Sequence, residues 1–306
     1  FYFCTYSVFT SLRSIEAPIR AMLLMVFGAV LNIILDPLLI FGWGPFPELG
    51  IAGAAWASAI AYTITLIVGL LVFFLGGAPI RLKWKGEVPV GLKTMIHMFR
   101  VGLPSGVNTV SFSLARAVIT PIIAIYGTAV VAAYGVTMRV TLVGILVIFG
   151  LGLGVAPLIG NLMGAGLKDR LWKTAKQSIW LGFGITFVIS LIMFLFAPLI
   201  VQVFFDDPEI IEIGVELLKI WAWGLPFIAI WIMVESVFHG AGDNVPPMVI
   251  SLVASWIIEI PLVLWVALGL GMNETAVWWA RFFYFICGAA IALYWLSRGK
   301  WLEKKV

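Results

Sequence analysis

The chain has 306 residues, 62% of them hydrophobic and only 11% charged, with 14 Trp and 22 Phe. Soluble domains carry about 25% charged residues, so the composition excludes a soluble globular domain and indicates an all-α, polytopic transmembrane helix bundle. The formal charge of +4 does not indicate a nucleic-acid partner, because the basic residues fall in short connectors, and Cys4 and Cys287 lie in apolar runs without disulfide or metal-ligand spacing.

The opening FYFCTYSVFTSL has no initiator Met and no basic segment before its apolar run, so it reads as the end of a membrane helix rather than a signal peptide. A helical span needs about 20 mostly apolar residues. Breaking the chain at Gly, Pro and charge clusters predicts eight: 17–42, 50–78, 94–125, 128–163, 172–204, 208–239, 246–270 and 275–297. The longer ones are expected to tilt, kink or protrude.

The connectors alternate in charge. Arg13 and Arg20 precede the first full span, and the following GWGPFPELG has no basic residue. Arg81, Lys83, Lys85, Lys93 and Arg100 come next, then the uncharged IYGTA, then Lys168, Arg170, Lys173 and Lys176, then the acidic FFDDPEIIE, and finally the basic tail. The alternation places the basic connectors and the C-terminus in the cytoplasm of a plasma-membrane protein. HGAGDNVPP is the exception, expected on the cytoplasmic side without a Lys or Arg.

LNIILDPLLIFG (31–42) puts a carboxylate in the first full span. An ionised acid in hydrocarbon costs several kcal/mol unless it is compensated, and such acids default to function. Asn32 and Asp36 stand four apart and share a helix face. Pro37, lacking an N–H, leaves the Ile33 carbonyl without its helical donor. Hard cations take oxygen ligands of this kind. A proton suits the site too, because carboxyl groups in low-dielectric surroundings retain protons toward neutrality. The competing reading is a hydrogen-bond cluster pinning two helices.

Glu259, in SWIIEIPLVLW, is a second intramembrane acid just before a proline, with Arg116, Arg139 and Arg281 as candidate counter-charges. A structural ion pair is preferred over a substrate or proton relay. Glu235 is expected to snorkel to the interface, and Lys219 to snorkel or pair with Glu216. His97 and His239 are interface residues without a metal-spaced partner, and GLGLGV (150–155) is a close-packing surface rather than a nucleotide loop.

RSIEAPIRAM (13–22) and HGAGDNVPPM (239–248) correspond at an offset of 226, and GAAWA (53–57) and AVWWA (276–280) at 223. A duplicated helix–connector–helix–helix unit is therefore expected, as secondary transporters often show.

APIRAMLLMVFGAVLNIILDPLLIFG, LGIAGAAWASAIAY, VGLPSGVNTVSFSL, YGTAVVAAYGVTMRV, GLGLGVAPLIGNLMGAGLKDR and HGAGDNVPPMVIS span nearly the whole chain. They resemble the multidrug and toxic compound extrusion family of cation-coupled antiporters, in the family's order and in its DinF-like branch. The resemblance implies two six-helix lobes: residues 1–78 as the remainder of the first, 79–93 as a cytoplasmic linker, and 94–306 as the second. Three further helices, the first carrying an Asp, would precede Phe1, so residues 1–306 alone are not expected to transport. It implies a cation or proton site in the first lobe, formed by Asn32, Asp36 and, at the hydroxyl position, Ser58. GLPSGVNTVSF (102–112) lacks the acid that other branches carry there, which favours the first-lobe site. The implied activity is export of organic, often cationic, compounds in exchange for Na⁺ or H⁺ by alternating access. The expected protein is monomeric, is not an enzyme, has no cofactor, and has the bilayer and small organic substrates as partners. The alternatives are a lipid-linked oligosaccharide flippase and a non-transporting scaffold.

Overall fold

A computed structural model describes residues 2–15, 17–75 and 91–303. The linker expected at 79–93 therefore lies, up to residue 90, outside the described residues, as do Arg81, Lys83, Lys85, Lys304 and Lys305. Among the described residues there is no β-strand, and eight helices are long and apolar enough to cross a membrane. The chain divides into two compact units, with the division between Val90 and Gly91.

The first unit contains α1 (Tyr2–Ser14), α2 (Pro18–Ile40) and α3 (Ile51–Phe74). The buried face of α3 steps by four residues through Gly53, Ala57, Ala61, Thr65, Gly69 and Phe73. Small side chains on such a face let helices approach closely in a bilayer, where there is no hydrophobic drive to hold them together. A Cβ at Gly69 would lie 2.6 Å from Val8 of α1 and 2.9 Å from Leu24 of α2. A Cβ at Gly53 would run into the Leu39 carbonyl of α2. The loop after α2 also folds back on its end: Leu49 N donates to Leu39 O (3.0 Å) and Gly50 N to Ile40 O (3.2 Å). Gly50, at φ 55°, then starts α3.

The second unit contains α4 (Leu92–Ala124), α5 (Thr128–Gly164), α6 (Lys168–Leu195), a short α7 (Ala197–Gln202), α8 (Pro208–Gly240), α9 (Val245–Gly269) and α10 (Glu274–Ser297). Asp207 caps α8 by accepting from Glu209 N at 3.0 Å, with Pro208 in the first turn, where its missing N–H costs nothing. α8 is the core element, with two thirds of its most apolar window buried. Glycines on its neighbours and on α8 itself set the spacing. Gly182 of α6 would meet Met233 at 2.7 Å if it carried a Cβ, and Gly224 of α8 would meet Phe285 of α10 at 2.7 Å.

The eight expected spans match these helices closely, with two differences. The segment expected as one span over 172–204 starts earlier, at Lys168, because a helix can begin in a charged, solvated turn. It breaks after Leu195, where Phe196 leaves helical geometry and Pro198 opens α7. α9 also widens into π-helical turns over Val253–Glu259 and Trp265–Gly269. Ile260 N reaches back five residues to Ser255 O, just before Pro261 interrupts the ladder.

Candidate functional site

The first unit brings Asn32, Asp36 and Ser58 together. The close approach of α3 to α2 at Gly53 puts Ser58, little more than one turn further along α3, opposite the Asn32–Asp36 face. The Asn32 side-chain nitrogen donates to Asp36 Oδ1 at 3.3 Å and to Ser58 Oγ at 3.4 Å. All three residues are half-buried. No basic side chain stands within salt-bridge distance of Asp36 among the described residues. The carboxylate thus accepts one long hydrogen bond, from a neutral amide that also donates to the Ser58 hydroxyl.

The second unit holds an open cavity of about 700 Å³ lined by α4, α5, α8, α9 and α10. Such a volume suits a small organic molecule. Its charged lining consists of Arg116, Arg139, Glu235, Glu259 and Arg281, His239 also lines it, and its apolar lining includes Phe112, Phe149, Trp221 and Trp231. Glu259, at the end of the first π-helical stretch of α9, accepts from Arg281 Nε of α10 at 3.0 Å. Arg281 also donates to Tyr134 OH at 2.8 Å, and its guanidinium lies 4.8 Å from the Trp221 ring centroid. This buried pair is therefore hydrogen-bonded and π-packed on several sides, as an ion pair in low dielectric must be to persist. Arg116 lies within electrostatic range of Glu259 without touching it, and neither Arg116 nor Arg139 has a carboxylate within 4.0 Å among the described residues.

Glu235 corrects an expectation. It does not snorkel: it is 9% exposed, facing the cavity, and accepts from Trp231 Nε1 at 3.0 Å and Asn108 Nδ2 at 3.5 Å. A signal was available, since Trp231 stands four residues earlier on the same helix face. Of the two expectations for Lys219, the pairing with Glu216 is not formed: Lys219 lies over the Phe194 ring, while Glu216 accepts from Thr275 Oγ1 at 3.0 Å. His239 Nδ1 meets Asn244 Oδ1 at 2.7 Å, and Asn244 Nδ2 donates to Val101 O at 2.7 Å, so the HGAGDNVPP connector is tied to α4. Among the described residues no group of three His, Cys, Asp or Glu side chains could hold a metal ion.

The family model described as MatE matches residues 104–265, more than half of the chain. The chain belongs to the MatE family. It is 26% identical, over 90% of its length, to the probable multidrug resistance protein NorM of Thermotoga maritima, covering 59% of that protein. It is 28% identical, over 86% of its length, to the probable multidrug resistance protein YoeA of Bacillus subtilis, covering 57% of it. The chain thus spans less than two thirds of the length of these curated relatives. Its fold superposes on a crystal structure of MATE in complex with MaL6 with a TM-score of 0.87, at 22% identity, covering 96% of this chain and 66% of that one.

Proposed function

We propose that this MatE chain belongs to a secondary active antiporter that exports small organic compounds, cationic ones among them, in exchange for Na⁺ or H⁺ by alternating access. The first unit is then the remainder of the N-terminal lobe and the second unit the C-terminal lobe. The basic connectors and the C-terminus lie on the cytoplasmic side of the plasma membrane. The protein works as a monomer, and no covalent chemistry or cofactor takes part.

The observation that carries this reading is the cluster at Asp36. Its carboxylate lies within a membrane span, beside an amide and a hydroxyl and without a basic partner among the described residues. The Asn32 amide presents its nitrogen to both oxygens; a bound Na⁺ would require the amide to turn its own oxygen inward, giving three oxygen-bearing side chains from two helices. A proton would instead bind Asp36 and leave the amide–hydroxyl contact in place. Either event removes an uncompensated charge from the span, and this is the differential free energy that can shift an alternating-access equilibrium. The multidrug designations of the relatives support the substrate class.

The test is export of ethidium from vesicles containing the complete protein, under a Na⁺ gradient and under a pH gradient separately. Acceleration by one of them is expected and names the ion; acceleration by neither refutes the antiport.

A further inference from the structure

The charges around the C-terminal cavity do not balance. Three guanidinium groups line it against two carboxyls. One of the carboxyls, Glu259, is already bonded to Arg281 at 3.0 Å, and the other, Glu235, is held by the neutral donors Trp231 and Asn108. Arg116 on α4 and Arg139 on α5, both exposed, line the cavity with no carboxylate in contact among the described residues. Both lie eight or more residues from the nearer end of a helix long and apolar enough to cross a membrane. Charged side chains within a span are expensive and face a pathway or a partner. Around them the wall is aromatic: Phe112, Phe149, Trp221 and Trp231.

We infer that this cavity binds an apolar molecule carrying one acidic group, a carboxylate or a phosphate ester, with Arg116 and Arg139 holding the acid and the aromatic wall holding the body. Guanidinium groups match carboxylate and phosphate oxygens with paired, charge-assisted hydrogen bonds. An acid entering the cavity meets guanidinium groups with no carboxylate in contact among the described residues and lowers the net positive charge of the lining. An organic cation does neither there. The inference rests on the transporter reading for its context but adds a substrate class that the family resemblance did not suggest, at a site distinct from the Asp36 cluster.

Three pyrene probes test it: pyrenebutyrate, pyrenebutanol and pyrenebutyl-trimethylammonium. They share a body and differ in charge. Each is titrated by fluorescence against the complete protein in nanodiscs, with empty nanodiscs subtracted. The butyrate is expected to bind at least tenfold more tightly than the alcohol, and the ammonium more weakly than the alcohol. Arg116→Gln and Arg139→Gln should each weaken the butyrate about tenfold and leave the alcohol nearly unchanged, and Lys at either position should restore part of the loss. Retained alcohol binding shows that a variant is folded; should a variant not fold, the wild-type ranking of the three probes decides alone. Competition by an anionic phospholipid in the nanodisc would support the same acid site and identify a lipid headgroup as its source. Butyrate binding no tighter than that of the alcohol, or unchanged by both glutamines together, overturns the inference. Ion-driven ethidium export with no butyrate preference would leave the antiport standing and sink only the acid site; the reverse result would uphold the acid site and sink the antiport.

Discussion

Glu259 and Arg281 form a buried ion pair, Oε1 to Nε 3.0 Å, and each lies 223 residues after a member of the N-terminal cluster: Glu259 after Asp36, Arg281 after Ser58. The elements repeat as well. In both places an acid just ahead of a proline sits on the middle helix of three, and the residue 22 positions later sits on the third: Arg281 bonds the acid directly, whereas Ser58 is joined to Asp36 through Asn32. The difference is chemical. In the second copy a guanidinium fixed to the fold neutralises the acid. In the first copy the corresponding position is a hydroxyl, and no fixed cation is in contact among the described residues. The acid of the second copy thus has a fixed counter-charge, and that of the first has none in contact among the described residues.

Breaking the Glu259–Arg281 pair should therefore affect stability. Glu259→Gln or Arg281→Met alone leaves a buried charge unpaired and should cost about 3–5 kcal/mol, whereas the double variant should recover part of the loss. Thermal unfolding in detergent checks this; single variants that melt with the wild type would show the pair to be irrelevant to the fold. Glu259→Gln should disturb stability more than ion dependence.

The approach of α3 to α2 sets the geometry of the Asp36 cluster. Gly53→Ala would push a methyl into the Leu39 carbonyl, which cannot rotate away as a side chain can. Overpacking of this kind costs about 1–3 kcal/mol. The variant should lose stability and ion-driven export together, because Ser58 would be displaced from Asn32. Full export with unchanged melting would mean that the contact is not needed.

The helical framework was legible because spans are long and their apolar content is continuous. The pairing partners of Glu259 could also be narrowed from sequence, to three arginines of which Arg281 makes the contact. The places that misled are those where tertiary contact decides. Glu235 sits near the end of its helix, which suggests snorkelling, but α8 is enclosed by its neighbours and the side chain turns inward to Trp231 and Asn108. The π-helical turns before and after Pro261 leave no signature in hydropathy, since the same residues fit an α-helix. The Asn32–Ser58 contact depends on the crossing at Gly53, which spacing along one helix cannot reveal.

Membrane orientation has a direct check. In a background with Cys4 and Cys287 replaced by Ser, a cysteine at Lys168, in the first turn of α6, should resist an impermeant thiol reagent added outside intact cells. A cysteine at Lys85 should do the same. Ready labelling from outside would invert the topology.

Trp231→Phe removes the shorter of the two hydrogen bonds to Glu235. Leaving a buried acceptor short of a donor costs about 1–3 kcal/mol, and the smaller ring also leaves space beside Gly288, against which the indole packs. Lower thermal stability is expected, and Asn108→Ala should have a smaller effect because its bond is longer. Equal losses from the two would show that the distances do not rank the donors.

Asp36 is the residue proposed to couple ion entry to export. Asp36→Asn in the complete protein keeps the side chain's size and its hydrogen-bonding capacity but removes the charge that a cation or proton must compensate. Asn32→Ala and Ser58→Ala each remove only a neutral group and should weaken coupling less. The decisive measurement is ethidium export by reconstituted Asp36→Asn protein under an imposed Na⁺ gradient and an imposed pH gradient. The variant should fold and melt normally but export no faster with either gradient than without one; wild-type export rates under the driving gradient would exclude Asp36 as the coupling residue.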